Sequence, residues 1–120
     1  MTNNLGELQD RYLAFIADRG WEEFHTPKNL TMAISVEASE LAELYQWQDN
    51  VPVEQILEDD DLRERSREEL ADVMIYCLSM ANELDIDVEE AIADKLDQNE
   101  ARFDSETADK IARDLSQWQR

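Results

Sequence analysis

The sequence predicts an all-α fold, a four-helix bundle-like protomer with an additional C-terminal helix or flexible tail. Three observations carry that expectation. Ala, Leu, Glu, Asp and Gln dominate the composition, only two Gly and two Pro interrupt the 120 residues, and apolar side chains recur at steps of three and four. Such a chain favours long helices and few tight turns. Its length fits one domain with a single modest core.

The first element is an amphipathic helix, in which Leu5, Leu8, Tyr12, Phe15 and Ile16 share a stripe, Asn4 is placed to cap the start and Gly20 to stop the end. The connection that follows, Trp21-Glu22-Glu23-Phe24-His25, is unusually aromatic. Those rings either staple the loop to the core or line a ligand pocket. Thr26-Pro27 reads as the cap and first residue of a second helix, about Pro27 to Trp47, with Leu30, Ala33, Ile34, Leu41, Leu44 and Trp47 on its apolar stripe.

Asp49-Asn50-Val51-Pro52 breaks that helix, and Val53 to Glu58 fits one short helical turn. Asp59-Asp60-Asp61 reads as the solvated start of a third helix, about Asp61 to Leu84. Leu70, Val73, Cys77, Met80 and Leu84 form its expected core row, beside a second row of Leu62, Arg65, Glu69, Asp72 and Tyr76. After Asp85-Ile86-Asp87, the spacing of Asp87 and Glu90 predicts a capped fourth helix bearing Val88, Ala91, Ile92, Leu96 and Phe103. Lys95, Asn99 and Arg102 follow one side of it, a face that is either plainly solvated or suited to phosphate and sugar groups. Residues 105–120 place Ala108, Ile111, Leu115 and Trp118 at helical spacing, as a further helix or a frayed tail.

Two carboxylate pairs stand out against this pattern. Glu37 with Glu40, and Glu69 with Asp72, each step three residues along a helix, so each pair aims two acids in nearly one direction. The row Ala33, Glu37, Glu40, Leu44, Trp47 puts the first pair where a packing helix normally places apolar groups. In a chain that is 34% charged, one such pair is weak evidence, and Glu58 with Asp61 or Asp61 with Glu64 has the same spacing. The signal is the conjunction of two pairs, each within an apolar stripe, on two long helices whose short connection favours antiparallel packing. Face to face, those helices would bring four like charges together. Such a cluster must raise its pKa values or bind a cation, and oxygen-only ligands favour a hard divalent ion such as Mg2+, with Mn2+ as a substitute. With His25 the only histidine, neither a di-iron bundle nor a Cys/His zinc site fits.

The formal net charge of -19 opposes binding to a nucleic-acid polymer or an anionic membrane. A small phosphate ligand stays compatible if a metal bridges acid to phosphate. Cys77, the single cysteine, sits in the longest apolar run and reads as a buried free thiol in a reducing cytoplasm. Met1-Thr2-Asn3-Asn4 shows no charged leader ahead of an apolar stretch, and no run approaches the ~18 residues of a membrane span, so a soluble protein is expected.

The strings Trp21-Glu22-Glu23-Phe24-His25-Thr26-Pro27-Lys28-Asn29-Leu30, Glu37-Ala38-Ser39-Glu40-Leu41-Ala42-Glu43-Leu44-Tyr45-Gln46-Trp47 and Glu69-Leu70-Ala71-Asp72-Val73-Met74-Ile75-Tyr76 resemble the all-α nucleotide pyrophosphohydrolases of the MazG-like group, nearest to its dCTP pyrophosphatase branch. The resemblance extends from about Leu8 to Phe103. It implies a domain over residues 1–104 and does not cover residues 105–120, which stay the helix or tail that the spacing gives. It also implies hydrolysis of a nucleoside triphosphate, dCTP or a modified dCTP, between the α and β phosphates to monophosphate and pyrophosphate. Glu37, Glu40, Glu69 and Asp72 would hold Mg2+, with Glu37 or Glu40 also acting on the attacking water. Trp21, His25 and Trp47 would form the base pocket, Tyr76 would steady the sugar or a phosphate, and Lys95 and Asn99 would contact the triphosphate, with Arg102 a further phosphate contact. A homodimer or a dimer of dimers, a homotetramer, is implied as well. The competing reading is a non-catalytic acidic helical module that docks a basic partner. It would keep Glu37 and Glu69 exposed, whereas the enzyme would hide them in a cleft.

Overall fold

The computed structural model describes residues 3–118, so the readings that touch residues 1, 2, 119 and 120 lie outside it. The elements run α1 (Leu5–Asp18), a single 3-10 turn (Glu22–Phe24), α2 (Pro27–Glu43), α3 (Val53–Leu57), α4 (Asp60–Glu83), α5 (Val88–Arg102) and α6 (Ser105–Ser116), with no strand among the described residues. The all-α expectation holds, with four longer helices accompanied by the short α3 and the C-terminal α6. None of these helices is long and apolar enough to cross a membrane. The chain divides after Ile86 into two compact units, the first holding α1 to α4 and the second α5 and α6.

Caps set most of the boundaries. Asn4 Oδ1 accepts the Glu7 N–H at 2.8 Å, and Thr26 Oγ1 accepts that of Asn29 at 3.2 Å ahead of Pro27, whose missing N–H costs nothing in a first turn. Asp59, Asp87 and Asp104 do the same for α4, α5 and α6. The end of α1 is a Schellman motif: the Gly20 N–H donates to Ala17 O and the Trp21 N–H to Ile16 O, with Gly20 at φ 67°. Asp85 closes α4 in the same way at φ 55°, with the Ile86 N–H on Ala81 O.

α2 ends at Glu43 rather than at the expected Trp47. The N–H groups of Leu44, Tyr45 and Gln48 bond back only three residues, to Leu41, Ala42 and Tyr45, so the chain tightens into turns before Asp49 and Pro52. Trp47 therefore leaves the apolar stripe and is 88% exposed.

In the first unit α4 is the central element, packing most extensively on α2 and also on α1 and α3. The Tyr45 hydroxyl bonds Ser66 Oγ while Glu40 lies against Glu69, so positions rise along α2 as they fall along α4 and the helices run antiparallel. The core is Ile16, Leu30, Leu62, Leu78 and Ala81, with Ser79 buried among them and donating to Ile75 O at 2.9 Å. The row expected for α4 is only partly this one: Leu70 and Leu84 are exposed, and Val73, Cys77 and Met80 are half-buried. The reason is that α4 serves two neighbours on different faces. Ser66 and Glu69 meet α2, whereas the Leu78 carbonyl accepts from Gln9 of α1 at 3.3 Å. A single stripe cannot describe a helix packed on two sides.

Within the second unit, α5 and α6 each present an amphipathic stripe, and neither buries a side chain fully. Residues 105–116 take the helical alternative expected of the tail.

Candidate metal and active site

Antiparallel packing of α2 on α4 assembles three acids at one place. Glu37, Glu40 and Glu69 each offer a carboxylate oxygen such that all three atoms lie within 4.8 Å of one another. Glu37 and Glu69 are half-buried and Glu40 is exposed. One oxygen of each half-buried acid, Glu37 Oε2 and Glu69 Oε2, is shut away from water with no hydrogen-bond partner.

An orphaned buried carboxylate oxygen is costly, and two of them beside a third acid are costlier. Burial pushes the Glu37 carboxyl above the usual carboxylate range, followed by the close approach of Glu40 and the charges of Asp72 and Glu69. Glu69 is raised for the same reasons: burial first, then Glu40, then the charges of Asp72 and Glu68. Without a cation the cluster is frustrated. The donor set is all oxygen, three carboxylates converge, and two lone-pair-bearing atoms lack any other partner, so the residues fit a hard divalent cation.

Asp72 lies outside the three-acid group and is exposed, although its charge acts on both Glu37 and Glu69. Trp47 lines an open hollow of about 590 Å³ together with Glu40, Glu43, Leu44, Gln46, Arg65 and Glu69. Arg65 is a functional candidate that sequence reasoning passed over. Its position four residues before Glu69 was the available signal, since that spacing places it on the acidic face of α4. Its exposed contact with Asp61, at 3.9 Å, holds it only weakly.

The aromatic loop forms a cluster with α1. Trp21 meets Phe15 edge-on at 5.8 Å, Phe15 stacks with Tyr12 at 5.9 Å, and the Arg19 guanidinium sits 3.7 Å over the Phe15 ring. His25 is half-buried, its Nδ1 2.9 Å from the Trp21 carbonyl and its Nε2 3.0 Å from the Tyr12 hydroxyl. Tyr76 is half-buried on α4, one turn beyond Asp72. Lys95 is exposed and Asn99 half-buried, one turn apart on α5 in the second unit, where Arg102 sits 5.0 Å from the Phe103 ring centre.

Comparison with known proteins adds an independent line. The MazG-like family model matches residues 32–117, running on past Phe103 through α6. The chain is 38% identical over 100 residues to dCTP pyrophosphatase 1 of Mus musculus, covering 82% of this chain and 58% of that protein. Against dCTP pyrophosphatase 1 of Homo sapiens it is 38% identical over 112 residues, covering 91% of this chain and 64% of the relative. It therefore spans about three fifths of the length of these curated relatives. The crystal structure of a pyrophosphatase from Archaeoglobus fulgidus superposes with a TM-score of 0.76 at 36% identity, covering 86% of this chain and 94% of that one.

Proposed function

This chain belongs to the MazG-like family, and from that membership we propose that it is a Mg2+-dependent nucleotide pyrophosphohydrolase. It cleaves a deoxynucleoside triphosphate, dCTP or a modified dCTP, to the monophosphate and pyrophosphate. The observation that carries the reading is the convergence of Glu37, Glu40 and Glu69 with two buried oxygens left without partners.

Glu37, Glu40, Glu69 and Asp72 would hold the ion, the first three through carboxylate oxygens that already converge. When bound, Mg2+ supplies the positive charge that offsets phosphate oxygens and favours ionisation of water. Glu37 is our choice for the group that orients the attacking water and accepts its proton, with Glu40 beside it in the same role. Trp21, His25 and Trp47 are assigned to the base, and Tyr76 to the sugar or a phosphate. Arg65, on the rim of the acidic hollow, adds a positive contact for the triphosphate. Lys95 and Asn99 are assigned to the substrate by spacing and family membership alone. The functional domain is taken as residues 1–104, followed over 105–120 by an amphipathic helix or tail.

Half-burial of Glu37 and Glu69 supports an enzyme over an acidic docking module, which would leave both in water. Assembly as a homodimer or homotetramer in the cytoplasm belongs to the same proposal. The apolar hollow of about 560 Å³ between α1 and α4, flanked by Leu5, Leu8, Phe15 and Met74, supports assembly. Phosphorus NMR after incubation with dCTP, the other deoxynucleotides and Mg2+ tests the reaction. Pyrophosphate with monophosphate, abolished in Glu40→Gln, is the expected outcome. Orthophosphate, or no turnover of any nucleotide, refutes it.

A further inference from the structure

We infer that Tyr12 is a positioning residue: by donating to His25 Nε2 it holds the chain's one imidazole as the Nδ1–H tautomer with both ring nitrogens engaged, so that His25 offers a flat base its ring face and no N–H. The inference deepens the reading of His25 as part of a base pocket and rests on it.

The tautomer follows from the partners. A backbone carbonyl only accepts, so the 2.9 Å contact to Trp21 O requires the proton on Nδ1. In the neutral ring Nε2 then carries a lone pair, and the Tyr12 hydroxyl 3.0 Å away must be the donor. Both anchors are held by backbone geometry. Trp21 is fixed by its N–H on Ile16 O at the end of α1, and the His25 N–H closes the 3-10 turn on Glu22 O at 3.1 Å. Tyr12 sits one turn before Phe15 and Ile16 on the same helix, and Ile16 is buried. Burial and then Tyr76 of α4 raise the Tyr12 phenol above its usual value, with the Ser79 hydroxyl acting the other way, so it remains a donor throughout the neutral range.

The consequence concerns specificity. An imidazole with both nitrogens occupied cannot read the edge of a base, so hydrogen-bond discrimination must come from other groups, and His25 contributes stacking. The chain has a single histidine, which makes the experiment direct. Long-range proton–nitrogen spectra of the nitrogen-15-labelled protein at mildly alkaline pH should show a protonated Nδ1 and a bare Nε2. In Tyr12→Phe, which keeps the ring and its packing, the Nε2 resonance should move downfield. A protonated Nε2 in the parent protein, or an unchanged Nε2 in Tyr12→Phe, overturns the inference.

The second arm uses dCTP with Mg2+. Stacking alone predicts that His25→Ala raises KM roughly five- to hundredfold, and that His25→Phe, which keeps a flat ring, raises it several-fold less. His25→Phe failing as badly as His25→Ala shows that a ring nitrogen makes the contact, and rejects the face-only role. If the parent protein turns over no nucleotide, the functional reading fails, while the spectra still decide what Tyr12 does to His25.

Discussion

Replacing Glu37 by Gln should raise the melting temperature of the apo protein and shrink the gain that Mg2+ brings. Gln keeps the shape but removes one charge from three acids whose ligand atoms lie within 4.8 Å, and it gives the orphaned position an amide that can donate to Glu40 or Glu69. The apo variant should therefore melt above the apo parent. With Mg2+ the order reverses in the gain. A cation at a hundred times its Kd stabilises the folded parent by about 2.7 kcal/mol. At ~2.1 cal/mol/K of unfolding entropy per residue, a 120-residue chain has about 250 cal/mol/K, so each kcal/mol moves Tm by about 4 °C and the gain is about 11 °C. A tenfold weaker site in Glu37→Gln leaves about 1.4 kcal/mol, or roughly 6 °C. The assay is far-UV circular dichroism melting at fixed protein concentration, with millimolar MgCl2 against KCl of matched ionic strength. Equal Mg2+ gains in the two proteins, or an apo variant that melts lower than the parent, would refute the reasoning.

Acidity provides a second handle. Glu37 and Glu69 both have folded-state pKa values raised above the ordinary carboxylate range, so the folded apo protein holds more protons than the unfolded chain from about pH 4.3 up through the raised values. Their contribution is complete below that window and is lost as pH rises through it. The apo urea midpoint of the parent should accordingly fall across the window relative to that of Glu37→Gln/Glu69→Gln, and parallel pH profiles would contradict this. Leu30, 2% exposed and seven residues before Glu37 on α2, should cost about 2–5 kcal/mol as Leu30→Ala in denaturant unfolding; a loss below about 1 kcal/mol would mean that α2 is not anchored there. Gly20→Ala should cost about 1–2 kcal/mol from the left-handed backbone alone, because φ is 67° and no atom lies within 4 Å of the added Cβ. A near-zero effect in the same unfolding measurement would argue against the Schellman end of α1.

Local grammar made much of this protein legible in one dimension. Asn4, Thr26 and Asp87 cap helices because a short side-chain acceptor ahead of an amphipathic run has one natural partner, the N–H three residues on. The pairing of Glu37 and Glu40 with Glu69 was legible too, since a short connection and interrupted apolar stripes leave few ways to place those acids. What misled was any inference that extended one stripe too far. Trp47 fits the α2 pattern by spacing, but the backbone tightens after Glu43. Leu70 and Leu84 fit a core row of α4 that exists only if that helix has one partner.

The sequence by itself determined the helices, their caps and the residue types able to hold a hard cation, because those depend on interactions within a few residues. Only the tertiary structure decided which carboxylate oxygens lose their water, which acids bring their ligand atoms together, and that Tyr12 meets His25. Burial and partner geometry belong to the packing of one element on another. Periodicity can place a side chain on a face, but only the neighbouring element decides what that face meets.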